Sequence, residues 1–132
     1  MKKVLVFGTF DPLHKGHLDL FTQAKKLGDY LIVVVSPDKR LKAEKNREPR
    51  QPERDRVKAI RQSGLANEVI LGEESGHYDL IDKIKPDIIA VGYDQIIPLG
   101  LKNRLKKYKI VRLKPFRPEI YKSSKLAPSS SG

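Results

Sequence analysis

Short apolar runs rich in β-branched residues alternate with helical patterns along this chain, and that alternation leaves few architectures open. Tyr30 to Ser36 is the clearest run. It is nearly continuous in apolar residues, as expected of a strand covered on both faces. Lys3 to Phe7, Glu68 to Leu71, Ile88 to Val91 and Ile110 to Leu113 read as further strands. Between them, His17 to Leu27 carries apolar residues at helical spacing, and Gly28 is placed to stop that helix. Pro52 and Glu53 open a helix running to about Gln62, with acids in its first turn. Tyr78 to Ile84 suits a helix ended by Pro86 and Asp87, and a basic helix follows Pro98 and Gly100 to about Tyr108. Asp38 to Arg50 is charged, lacks a clear period and reads as a loop, as does Gly72 to Gly76. Strands alternating with helices predict an α/β fold, a single Rossmann-like doubly wound domain with a parallel sheet of about five strands and right-handed crossovers. The domain is expected over 1–126, with 127–132 a disordered tail or an appended remnant.

Ligands on such sheets sit beyond the carboxyl ends of the strands. That rule brings three segments to one crevice: Gly8 to His17 after the first strand, Ser36 to Lys45 after the second, and Gly92-Tyr93-Asp94-Gln95 after the fourth. The first runs Gly8-Thr9-Phe10-Asp11-Pro12-Leu13-His14-Lys15-Gly16-His17 and leads into a helix. Backbone N–H groups at a helix start attract phosphate, and two histidines there can stabilise charge developing on a phosphoryl group. Asp94 is placed either to bind a ribose or base amine or to cap its own turn. Arg56, taken by itself, reads as a surface helix arginine.

The net charge of +11 matches either a solvated lysine-rich surface or anionic substrates. Basic residues crowd Lys39 to Arg61 and Lys102 to Lys125, and Glu119 is the sole acid of the second stretch. Nucleic acid is not the expected partner, because no helix-turn-helix, zinc-finger or RNP-type pattern is present. The absence of cysteine excludes disulfides and thiolate metal sites and fits a cytoplasmic protein. No apolar run is long enough to span a bilayer, and the chain enters a strand at once, so neither a transmembrane segment nor a signal peptide is expected.

The segment Gly8 to His17 resembles the GTFDPxHxGH signature of the cytidylyltransferase-like nucleotidyltransferases. The resemblance runs from Lys3 to Lys125. It implies that His14 and His17 contact the nucleotide phosphates, with Gly8, Thr9, Phe10, Asp11, Lys15 and Gly16 forming the surrounding loop. It implies that Asp94, in a Gly-x-Asp, binds the nucleoside. By the same resemblance Lys45 is the catalytic lysine that neutralises the triphosphate, and Lys42 and Arg56 are further phosphate partners, Arg56 in a Glu-x-x-Arg helix start. Tyr121-Lys122-Ser123-Ser124-Lys125 is similar to the last motif of the superfamily, which adds Tyr121, Ser123 and Ser124 to the nucleotide site and Arg117 to the phosphates. Two departures stand out: Ala127-Pro128 replaces the helix that should follow, and Arg117 lies slightly far from the serine pair. The stretch Ile84 to Gln95 looks most like archaeal FAD synthase, although the cysteines common near that family's C-terminus are missing. The reaction so implied moves a nucleoside monophosphate from ATP to a phosphate acceptor, FMN by resemblance, with Mg²⁺ on the triphosphate rather than on protein side chains. Cytidylyl transfer from CTP to glycerol 3-phosphate or a sugar phosphate is the alternative, and a non-catalytic nucleotide- or nucleic-acid-binding module is a second. A homodimer is left open.

Overall fold

The computed structural model describes residues 1–46, 48–73, 79–93, 95, 97, 102–103 and 105–116, the side chains of 44 and 45 apart. The elements run β1 (Lys3–Gly8), α1 (Lys15–Lys25), β2 (Tyr30–Val35), α2 (Asp38–Lys45), α3 (Glu53–Ser63), β3 (Glu68–Leu71), α4 (Asp79–Ile84), β4 (Ile88–Val91) and β5 (Lys109–Arg112). One five-stranded sheet has the order β3-β2-β1-β4-β5, and every pairing in it is parallel. The chain winds outward from β1 to β3, then returns to the other side of β1 for β4 and β5. The order therefore reverses between β1 and β4, where a doubly wound sheet opens a ligand crevice.

Alternation along the strands divides the core into two layers. Val4, Val6, Leu31, Val33, Ile88 and Ala90 pack with Phe21 and Ala24 of α1 and Val57 and Ile60 of α3. Leu5, Ile32 and Ile89 point the other way, against Ile81 of α4 and Leu105. The central strands are thus apolar on both faces, which is why they read as near-continuous runs. Each fully buried side chain of the Leu, Val or Phe kind contributes about 1.5–3 kcal/mol.

Two expectations are corrected. The charged segment after β2 is not a loop: Asp38–Lys45 forms α2, with Pro37 before it and Asn46 closing it in the left-handed region at φ 51°. Its only buried apolar anchor is Leu41, so no helical period could show. Nor does Gly28 cap α1. The helix ends at Lys26 with ordinary right-handed geometry, whereas a Cβ at Gly28 would stand 2.7 Å from the Lys2 carbonyl. Gly28 is there for the close approach of the chain to the start of β1.

Candidate active site

The histidine pair sits where α1 begins, just beyond β1. His14 is the N-cap residue and His17 the third helical residue, and their side chains form a reciprocal capping box. The Gly16 N–H donates to His14 Nδ1 at 3.0 Å, and the His14 N–H donates to His17 Nδ1 at 3.2 Å. Helix ends carry unpaired amides that must be satisfied, and here imidazoles satisfy them where serine and glutamate commonly would. A Cβ at Gly16 would approach His14 Cε1 to 2.9 Å, so glycine is what lets the His14 ring lie over the turn.

The capping box decides the chemistry of both rings. A nitrogen accepting a hydrogen bond carries no proton, so each neutral ring holds its proton on Nε2. His14 Nε2 is buried and, among the described residues, has no partner. A buried donor left unpaired costs about 1–3 kcal/mol, and such groups mark places where a ligand completes the network. The rings stack at 3.7 Å between centroids. Burial, then the neighbouring His14, lowers the pKa of His17 from 6.5 to about 4. His17 is therefore neutral at physiological pH. The helix start offers a phosphate two imidazole N–H groups rather than the amides of His14 and Gly16, which are already occupied.

Phe10 and Asp11 support this arrangement from the inside. Phe10 adopts φ 52°, which folds its ring into the core at 4% exposure. There it meets His17 edge-on at 5.0 Å and Phe21 at 5.2 Å. A Cβ at Gly8 would lie 2.9 Å from that ring. Both Asp11 carboxylate oxygens are occupied, accepting from the Arg50 N–H at 2.7 Å and the Gln51 N–H at 2.9 Å. Asp11 ties the loop after β1 to the segment before α3, and Lys15 is exposed at the first helical position.

Arg56 is neither a surface arginine nor open to a phosphate. Its side chain is fully buried. Nε donates to the Gln51 carbonyl at 3.0 Å, and Nη1 to the carbonyls of Thr9 at 2.9 Å and Ser36 at 2.8 Å. Nη2 pairs with Asp38 Oδ1 at 2.7 Å. The Asp38 N–H donates to Glu53 Oε1 at 2.8 Å. One guanidinium thus joins the loop after β1, the end of β2 and the start of α2, the helix that contains positions 39, 42 and 45. Lys42 is in an ion pair with Glu48 at 2.9 Å. The side chain of Lys45, and all of Asp94, Arg117, Tyr121, Ser123 and Ser124, lie outside the described residues. Two side chains that carried no sequence signal, Gln95 and Arg112, bond the turn after β4.

The His17 shift has a measurable consequence. A histidine whose folded pKa is depressed favours the fold fully above its unfolded pKa, and the benefit is lost as pH falls. The stability it supplies should fall between pH 6.5 and about 4, by about 2 kcal/mol after allowance for solvent screening. Urea unfolding across that range should show the slope in the native protein and a flatter line in His17→Asn. Equal slopes in the two would mean that His17 titrates alike folded and unfolded.

Comparison with known proteins agrees with the geometry. The cytidylyltransferase-like pattern matches residues 5–131. FAD synthase of Ferroglobus placidus is 46% identical over 95 residues, covering 72% of this chain and 61% of that protein. FAD synthase of Thermococcus onnurineus is 38% identical over 133 residues, covering 96% of this chain and 86% of that one. The crystal structure of a lipopolysaccharide core biosynthesis protein from Thermoplasma volcanium superposes with a TM-score of 0.78 at 35% identity, over 88% of this chain and 98% of that one. Among the described residues no helix is long and apolar enough to cross a membrane. With a parallel sheet reversing at β1, a histidine pair capping the first helix and a family pattern spanning nearly all its length, the chain belongs to the cytidylyltransferase-like family.

Proposed function

We propose that this chain is a nucleotidyltransferase that joins AMP from ATP to FMN. A phosphate oxygen of FMN attacks the α-phosphorus of ATP, the bond from that phosphorus to the bridging oxygen breaks, and pyrophosphate leaves as FAD forms. The observation that carries the reading is His14 Nε2, buried and without a partner among the described residues, beside His17 at the start of α1 and beyond β1. Neutral imidazole N–H groups there are preorganised to receive the charge that grows on the transferred phosphoryl oxygens. The similarity to archaeal FAD synthases over most of the chain supports ATP and FMN as the substrates.

The chain's own part is to bind and orient. Thr9 and Ser36 are fixed through Arg56, so the loop does not have to order when substrate arrives, which lowers the cost of reaching the reactive geometry. Lys45 is assigned to the triphosphate, Asp94 to the nucleoside, and Tyr121 with Ser123 and Ser124 to closure over the phosphates, assignments that rest on the family motifs. The donors that the start of α1 presents are imidazole N–H groups, suited to anions. Mg²⁺ therefore fits as the counter-ion of the triphosphate, whose charge it neutralises when bound, and no side chain is assigned to it.

Purified protein given FMN, ATP and Mg²⁺ should form FAD, seen by chromatography of the flavin, with release of pyrophosphate. If no FAD appears while CTP and glycerol 3-phosphate release pyrophosphate, the flavin assignment fails and cytidylyl transfer replaces it.

A further inference from the structure

β1 pairs with β4 through Val4↔Ile88 and Leu5↔Ile89. Continued, that register would set Gly8 opposite Gly92, and the Gly92 N–H would donate to the Phe7 carbonyl, the next bond of this parity in a parallel ladder. The side chain of Gln95 stands in that place. The Gly92 N–H donates to Gln95 Oε1 at 3.0 Å, and Gln95 Nε2 donates to the Phe7 carbonyl at 2.9 Å. A primary amide has the donor and acceptor of a peptide group, so it satisfies both strands while lying between them. On its other side β1 stays paired with β2 as far as Gly8↔Val35. The sheet is therefore opened on one side of β1 only, between the strands where its order reverses.

A direct ladder bond would satisfy the same two groups without ordering a flexible side chain. The insertion gives the sheet nothing; what it provides is separation. A second side chain fixes the turn beyond. Arg112, the last residue of β5, directs Nη1 at the carbonyls of Gly92, Tyr93 and Gln95, at 2.8, 3.2 and 3.1 Å. Three carbonyls drawn to one cation tie Gly92, Tyr93 and Gln95 to the end of β5.

We propose that Gln95 is a positioning residue, its amide propping β1 and β4 apart and, with Arg112, setting the turn at 92–95 to receive the nucleoside half of ATP. This rests on the nucleotide-binding part of the function proposed above, and not on the identity of the acceptor. Gln95→Leu removes both bonds at similar volume and lets the Gly92 N–H close directly onto Phe7.

The test is calorimetric titration with Mg-ATP, with circular dichroism to establish folding. Gln95→Leu should bind ATP about tenfold or more weakly, the scale of one or two lost hydrogen bonds. In steady state the loss should appear as a raised KM for ATP, with kcat within about threefold, since the histidines are untouched. Unchanged ATP affinity in folded Gln95→Leu overturns the proposal. If that variant does not fold, Arg112→Met decides. Arg112 is exposed, so the fold should survive, and ATP should bind several-fold more weakly, with partial recovery in Arg112→Lys. Unchanged affinity in Arg112→Met overturns the proposal equally. Weakened ATP binding in these variants, in a protein that makes no FAD, refutes FMN as acceptor and leaves this inference standing.

Discussion

Changing His14 to asparagine is expected to leave the fold intact and to lower the rate of nucleotidyl transfer about 10²–10³-fold, the usual cost of losing one preorganised donor. The variant separates two roles held by one ring. Nδ1 of His14 caps α1 by accepting from the Gly16 N–H, and asparagine, among the best N-cap residues, presents an acceptor at that position. Nothing in asparagine replaces Nε2 on the far side of the ring. The melting temperature should stay within about 3 °C of native, while FAD formation falls. His14→Ala, by contrast, should lose the cap as well, at about 1 kcal/mol. Near-normal turnover in folded His14→Asn would remove His14 from the chemistry and leave it a capping residue only.

The largest loss of stability should come from Arg56→Met. The guanidinium has no contact with solvent, and its removal leaves the carbonyls of Thr9, Ser36 and Gln51 without the donors they now have. Asp38 keeps 31% of its side chain exposed and can turn toward water, so the orphaned carbonyls dominate the cost. Breaking a buried charge network of this kind costs about 3–5 kcal/mol. Urea unfolding with an unchanged m-value measures it. Arg56→Lys should fall between, because an ammonium lacks the planar fork that reaches four partners at once. A loss below about 1 kcal/mol in Arg56→Met would mean that these bonds are replaced by water at little cost.

The strands were legible because both faces of the sheet are covered. Ile88–Val91 and Glu68–Leu71 coincide with the apolar runs read from sequence, β1 and β2 differ from theirs by one residue at the C-terminal end, and β5 is shifted by one residue toward the N-terminus. The histidine pair was legible because its motif carries its own context of strand, loop and helix. Helix α2 was not, since a helix with one apolar anchor has no period; only Pro37, Asp38 and Asn46 at its ends mark it. Arg56 was misread for a related reason. The residues before it in α3, Arg54 and Asp55, are charged and exposed, and nothing local shows that the Thr9 carbonyl and Asp38 converge on it from distant parts of the chain. Gln95 and Arg112 depend on which strands become neighbours, which no local pattern records.

The position of β1 at the centre of the sheet also shapes how the molecule comes together. Its N-terminal end bonds Asp29 of the segment entering β2 at a separation of 27 residues, and Asp87 of the segment entering β4 at a separation of 84. Closing the longer loop costs about 1 kcal/mol more in chain entropy, and pairings so distant in sequence are the slow ones to form. The histidine loop belongs with the cheap closure, carried by β1 and α1. The turn at Gly92 belongs with the expensive one. The seam between an early-forming half and a late-arriving one thus runs between β1 and β4, which share the fewest register pairs of the sheet, and on the function proposed above a nucleotide held across it would act as a clasp between the two, adding its binding free energy there.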